Sequence, residues 1–212
     1  MYKSLSITLV LLITSMVSMA QSQSEQEAVK QAFNNYKTAI LNDEGTKAAT
    51  CTNSKTITYY NNILEKVKHT DSVSINNLKL LDRFTVFAIR YRTSKQDIMK
   101  FNGRSLLIHV INMGMVGKNS VMNNTIGDVE INGHTAKGQL LVNGNASPFQ
   151  MKFTKESGQW KIDITSVFPI AETAFTKMIQ SSGQDENMYL LMILSMTTKD
   201  KPQNNIWKAV AS

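Results

Sequence analysis

Four runs of alternating apolar and polar residues dominate the second half of the chain. They are Thr125–Ile131, Thr135–Val142, Phe149–Glu156 and Gln159–Ser166, separated by Asn132-Gly133, Asn143-Gly144 and Ser157-Gly158. A period of two punctuated by such dipeptides predicts a four-stranded antiparallel meander, with Pro148 at a loop end or strand start. Alternation gathers Val129, Ile131, Ala136, Gly138, Leu140, Val142, Phe149, Met151, Phe153, Trp160, Ile162 and Ile164 on one face. The opposite face collects Asp128, Glu130, Lys137, Gln139, Gln150, Lys152, Thr154, Lys161, Asp163 and Thr165, with Leu141 the exception. The mixed charges of the second face suit water, so helices are expected to cover the first.

Elsewhere the apolar spacing is helical. Ser24-Glu25-Gln26-Glu27 has the form of a capping box, and Val29, Phe33, Tyr36 and Ile40 follow on one stripe. Asn42-Asp43-Glu44-Gly45 closes that helix and opens a short one through Ala48 and Ala49. A third helix is expected from Ser54 to Lys68 on the stripe Ile57, Tyr60, Leu64 and Val67, with Tyr59, Asn61 and Asn62 facing elsewhere. Residues 84–92 are rich in strand formers, but Leu78, Leu81, Thr85 and Ile89 form one helical face, which favours a helix up to Arg92. Lys95–Phe101 reads as a short helical turn and Gly103–Asn112 as a further helix. After the meander, Pro169 starts a helix through Ile170–Gln180, and Asp185 and Glu186 open another. That last helix carries Met188–Met196, apolar on every side, which implies burial on every side in a core or an interface. Ile206-Trp207 in the polar tail is placed to dock back on the body.

The first twenty residues read as an address. Lys3 precedes an apolar stretch from Ile7 to Val17, and Ser18 and Ala20 are small residues suited to signal-peptidase cleavage. The stretch is shorter than the roughly 20 apolar residues of a membrane span. The expected product is an exported, soluble protein, periplasmic or extracellular. It is not a lipoprotein, because the one cysteine, Cys51, is not at the cleavage point. The domain expectation is a signal peptide at 1–20 and one α+β domain at 21–212. That domain is mainly helical over 24–118, a β-meander over 121–166, helical again over 167–197, and ends in a tail at 198–212.

Composition narrows the chemistry. The chain has 212 residues, 42% hydrophobic and 18% charged, with three prolines, which excludes a disordered chain. The net charge of +7 is spread without a basic stripe, and export argues against nucleic acid as a partner. A single cysteine excludes an internal disulfide and any multi-thiolate metal centre. Cys51 is expected to be a buried, inert thiol, with an intermolecular disulfide as the alternative. The three histidines, His69, His109 and His134, form no ligand spacing, and the sequence carries no phosphate loop, dinucleotide fingerprint or nucleophile elbow. No cofactor is implied.

Helices followed by a meander carrying Asn132-Gly133-His134-Thr135-Ala136, Phe149-Gln150-Met151-Lys152-Phe153 and Lys155-Glu156-Ser157-Gly158-Gln159-Trp160-Lys161-Ile162 resemble the cone-shaped fold of the nuclear transport factor two and ketosteroid isomerase superfamily. The resemblance covers Glu25–Ser166 and leaves 167–212 outside it. The sequence departs from the family in showing no strand between Thr70 and Lys118. The resemblance implies an apolar cone that in the family's enzymes holds an acid, base or oxyanion donor. Here no inward strand residue titrates, so such a group must come from the helices, where Tyr36, Tyr59, Arg90 and His109 are candidates. Each also has a plain structural reading: a core tyrosine, a carboxylate-paired arginine, a hydrogen-bonded boundary histidine.

The expected pocket therefore comprises Tyr36, Tyr59, Arg90, His109, Leu140, Phe149, Met151, Phe153, Trp160 and Ile162. The first functional reading is a non-catalytic exported module that binds a small apolar ligand or a protein partner. The alternative is an isomerase, cyclase or hydrolase of the ketosteroid isomerase kind. A homodimer through the cone's open side or the last helix is a third expectation.

Overall fold

The computed structural model describes residues 23–116, 118–196 and 204–211, and the expected signal segment lies outside them. Helix α1 (23–41) runs first, then α2 (Gly45–Cys51), α3 (Ser54–His69), α4 (Leu80–Arg92), α5 (Lys95–Lys100) and α6 (Gly103–Asn112). Strands β1 (Asn124–Asn132), β2 (Thr135–Val142), β3 (Asn145–Glu156) and β4 (Gln159–Asp163) form one antiparallel sheet in the order of the chain. Helices α7 (Phe168–Ser182) and α8 (Glu186–Met196) follow, and a 3₁₀ turn (Asn204–Trp207) comes after them. The chain is thus α+β, with helices covering one face of a meander.

Helix α1 lies along β1 and is fastened at three points. Gln26 Nε2 donates to the Val129 carbonyl at 3.0 Å, and Lys37 Nζ to the Asn124 carbonyl at 2.9 Å. Glu25 takes Lys155 Nζ on both oxygens at 2.8 Å and Trp160 Nε1 at 2.8 Å. Lys155 also stands over the Trp160 ring, 5.6 Å from its centre. Ser24 is not the N-cap expected of it: it is already helical, because the preceding Gln23 extends the helix.

Two bulges decide which side chains face the helices. In the first, three steps along β1 from Ile126 to Val129 oppose two along β2, from Leu140 to Gly138. That extra residue turns Ile126 inward beside Val129, although strict alternation would put them on opposite faces. Gly138 makes room: a Cβ there would stand 2.5 Å from Ile126 Cγ2 and 3.3 Å from Phe153 Cε2. In the second, Gln139 pairs with Gln150 but Leu141 with Ala146, so Ser147, Pro148 and Phe149 bow out of the ladder. Pro148 therefore lies inside β3, not at its start. A proline, which has no N–H to donate, suits such a bulge. Gln139 Nε2 donates to the Ser147 and Phe149 carbonyls that the bulge frees.

Three other expectations need correction. Strand β4 ends at Asp163, not Ser166, and Asp163 is 3% exposed rather than solvated. Its carboxylate takes Lys55 Nζ at 2.9 Å and Thr165 Oγ1 at 2.5 Å, which turns Ile164–Val167 into a 3₁₀ segment. Val142 on the apolar face is exposed, because it flanks the two-residue Asn143-Gly144 hairpin. Helix α8 is not enclosed: only Leu190 and Leu194, one turn apart, are buried, while Met188 is 67% and Met196 75% exposed. No helix among the described residues is long and apolar enough to cross a membrane.

Helix α7 begins at Phe168, two residues earlier than expected, with Pro169 in its first turn. It also supplies the cap that α4 lacks. Glu172 accepts the Leu80 N–H at 2.8 Å and the Leu81 N–H at 2.9 Å, one on each oxygen. Arg83 reaches from α4 to Glu186 and Asn187 of α8, at 2.9 and 2.8 Å. Helix α6 crosses its neighbours at glycines. A Cβ on Gly103 would stand 2.5 Å from the Ile57 carbonyl, and one on Gly45 would stand 2.8 Å from the Ile108 carbonyl.

Glu172→Ala leaves the first N–H groups of α4 without acceptors and is expected to lower unfolding stability by about 1–2 kcal/mol in urea titration. Glu25 has its pKa held below the usual carboxylate range by the Lys155 hydrogen bond first and Trp160 second. A depressed carboxylate contributes stability above the unfolded pKa and loses it as pH falls through the folded one. Glu25→Gln should therefore shorten the acid-unfolding limb below the ordinary carboxylate pKa, as read by circular dichroism across pH.

Candidate functional site

A cavity of about 440 Å³ lies between α4 and the sheet. Helix α4 gives it one face, comprising Leu81, Phe84, Thr85, Ala88 and Arg92. Phe33 and Tyr36 come from α1, and Tyr59 and Tyr60 from α3. Met151 and Ile162 form the floor. Ile164, Val167, Phe168 and Ala171 close one end, so the start of α7 is part of the wall. Val110, Gly114–Val116, Ser120, Val121 and Asn124 form the rest. Gly114, Ser120 and Ala171 are exposed, which places the cavity's rim in solvent.

The tyrosines are neutral at any physiological pH. Burial is the first cause of the upward pKa shift at all three, taking Tyr36 and Tyr59 far above the ordinary phenol value and Tyr60 to about 12. Asp82 adds to the effect at Tyr59, whose hydroxyl donates to Asp82 Oδ1 at 2.8 Å. Lys66 Nζ holds the other Asp82 oxygen at 2.5 Å. The Tyr59 ring stands edge-on to Tyr60 and Phe168, with centres 5.3 and 4.8 Å apart. These phenols can orient a ligand by hydrogen bonding, but they are poor proton acceptors.

Of the ten residues expected in the pocket, Tyr36, Tyr59, Met151 and Ile162 line it. Arg90 does not. Its guanidinium donates to four backbone carbonyls: Val67 at 3.0 Å, Lys66 at 3.2 Å, Thr70 at 2.6 Å and Ile206 at 3.0 Å. It thereby satisfies the end of α3 and ties the tail to it. Burial lowers its pKa to about 10, so it remains a cation. The carboxylate pairing expected of Arg90 is replaced by these carbonyls.

His109 is also outside the cavity. Its Nε2 lies 2.9 Å from Thr93 Oγ1 and its ring leans on Phe101, 4.9 Å between centres. Burial lowers its pKa, with Asp97 pulling the other way. Leu140 and Phe153 are buried in the core under β2 and β3, and Phe149 sits half-buried at the second bulge. Trp160 is occupied by Glu25. Cys51 is half-buried and its thiol pKa is raised, chiefly by burial.

Arg92 was not among the expected pocket residues, yet it is the charged side chain among the described residues of the lining. The signal for it is helical spacing: Leu81, Thr85, Ala88 and Arg92 fall at steps of four, three and four, on one face. Arg90, two residues earlier, points roughly 200° away. No group of three or more His, Cys, Asp or Glu among the described residues is placed to hold a metal ion. Comparison with known protein families, curated proteins and solved structures finds no match for this chain.

Arg90→Met removes the donors of four carbonyls at once and is expected to cost about 3 kcal/mol or more in unfolding stability. Arg90→Lys keeps the charge but not the fork and should recover only part of that loss, measured by the same denaturant titration.

Proposed function

We propose that this is an exported, non-catalytic module that binds an apolar small molecule in the cavity under α4. The observation that carries this reading is the cavity itself. Its volume falls within the roughly 300–1,000 Å³ of small-molecule sites, and its walls are mostly aliphatic and aromatic with a few polar groups among them. The resemblance to the nuclear transport factor two and ketosteroid isomerase superfamily belongs to the same proposal, since in that cone a ligand sits between helices and the inner face of the meander. Export rests on the pattern of residues 1–20.

Catalysis finds less support. The imidazole and guanidinium put forward as helix-borne acid–base groups, His109 and Arg90, are engaged elsewhere. Among the described lining residues, the phenols of Tyr36, Tyr59 and Tyr60 have their pKa raised chiefly by burial, which makes them weaker acids than an exposed tyrosine.

The test uses N-phenyl-1-naphthylamine, a neutral probe whose fluorescence rises in apolar surroundings. The full chain is expected to bind it in a saturable manner. Ala88→Leu, which pushes three carbons into the cavity, should weaken the probe about tenfold or more while leaving the helical circular dichroism intact. A wild-type chain that gives no saturable signal, or a folded Ala88→Leu variant that binds as tightly, would overturn the reading.

A further inference from the structure

We propose that the cavity takes an uncharged, largely apolar molecule bearing one hydroxyl, and that the hydroxyls of Tyr36 and Tyr60 are its hydrogen-bond partners. The inference rests on the ligand-binding reading above and specifies the ligand's chemistry.

Most polar groups of the lining already serve the protein. Tyr59 donates to Asp82, Thr85 Oγ1 to the Leu81 carbonyl at 2.7 Å, and Asn124 Nδ2 to the Ser120 carbonyl at 2.8 Å. Arg92 is engaged within the protein as well. Tyr36 and Tyr60 differ. They come from α1 and α3 and are 4% and 6% exposed. Among the described residues, no group hydrogen-bonds either hydroxyl, and the upward shift at each phenol has burial as its first cause and no hydrogen bond among the others. Tyr60 adds to the shift at Tyr36, which sets the two phenols within electrostatic reach of each other. Neither oxygen is sealed in the packing, unlike Arg83 Nε, which is enclosed and unpaired. For rings this deeply buried, the space their hydroxyls reach is the cavity that both line. Buried polar groups are ordinarily paired, and two unpaired hydroxyls on one cavity wall call for a partner from outside the chain.

The chemistry of the two groups limits what fits. A phenol hydroxyl both donates and accepts. A ligand hydroxyl accepts from one phenol and donates to the other, whereas a carbonyl only accepts. A carboxylate would carry a charge from water into walls built from such residues as Phe33, Phe84, Phe168, Met151 and Ile162, which is costly. A hydrocarbon fills the same space but leaves both phenols unmet. One neutral hydroxyl on an apolar frame suits both the walls and the two phenols.

Displacement of N-phenyl-1-naphthylamine from the full chain by tetralin, 1-tetralol, 1-tetralone and tetralin-1-carboxylate tests this, since the four share one bicyclic frame. The readout is the affinity of each compound relative to tetralin, compared between wild type and the Tyr36→Phe/Tyr60→Phe double variant. The double variant is expected to lower the relative affinity of 1-tetralol about tenfold, and each single variant to lower it by part of that. The denaturation midpoints of the single variants should stay at or above that of wild type, because neither hydroxyl has a partner in the chain. An unchanged relative affinity for 1-tetralol overturns the role of the phenols and leaves the apolar site standing. A larger loss for 1-tetralone or the carboxylate than for 1-tetralol overturns the choice of head group. A clear fall in the midpoint of either single variant reveals a partner within the protein and overturns the proposal too. Saturable probe binding that none of the four compounds displaces does the same. A chain that does not bind the probe at all overturns the ligand-binding reading with it. If the double variant does not fold, the single variants decide by the same comparison.

Discussion

The rotation of α4 about its own axis is the constraint on which the cavity depends. A helix with Arg83, Arg90 and Arg92 among aromatic and aliphatic residues has more than one plausible face to bury. The carbonyls at the end of α3, together with that of Ile206, settle the choice by engaging Arg90. A buried guanidinium is tolerable only when its donors are satisfied, so this fit admits little rotation. With Arg90 fixed, the opposite side of the helix turns Ala88 and Arg92 toward the sheet, and Thr85 and Leu81 follow.

Charged side chains elsewhere in the molecule serve the joints between elements. Glu172 joins α7 to α4, Arg83 joins α4 to α8, and Glu25 joins α1 to the far end of the sheet. Thr52 bridges to Ile162, and the Asn53 N–H donates to the Ile162 carbonyl at 3.0 Å, so the link between α2 and α3 covers part of the edge of β4. Asn53 also caps α3 by accepting from the Thr56 N–H at 2.9 Å. These contacts join residues far apart in the sequence and hold the helical layer onto the meander.

What the sequence displays plainly is local. The turn dipeptides and alternation specify the meander, and the stripe from Val29 to Ile40 specifies α1. The helical reading of 84–92 follows from its continuation upstream to Leu81, despite strand-forming residues. The bulges are not visible, because an extra residue changes the parity of a strand without changing its composition; hence Ile126 on the inner face and Pro148 within β3. The site is only half visible. Tyr36, Met151 and Ile162 follow from facing the core, whereas Tyr59, off the apolar stripe of α3, reaches the cavity beside Tyr60, and Arg90 and Arg92 look alike in sequence and differ by which side of one helix they occupy. The apolar pattern of α8 likewise shows that it is greasy but not that Met188 and Met196 are exposed and only Leu190 and Leu194 fully buried.

The glycine crossings of α6 bear on how the hollow can adapt. With Gly45 and Gly103 seating α6 against backbone on two sides, that helix is a rigid wall that cannot slide to widen the space. The most adaptable parts of the lining are its unbranched thioethers: Met115 on one wall and Met151 on the floor, the latter steadied by Ser166 at 3.4 Å. Such side chains reshape by rotamer changes alone. Replacing either with a β-branched residue would stiffen the lining while the frame stayed as it is.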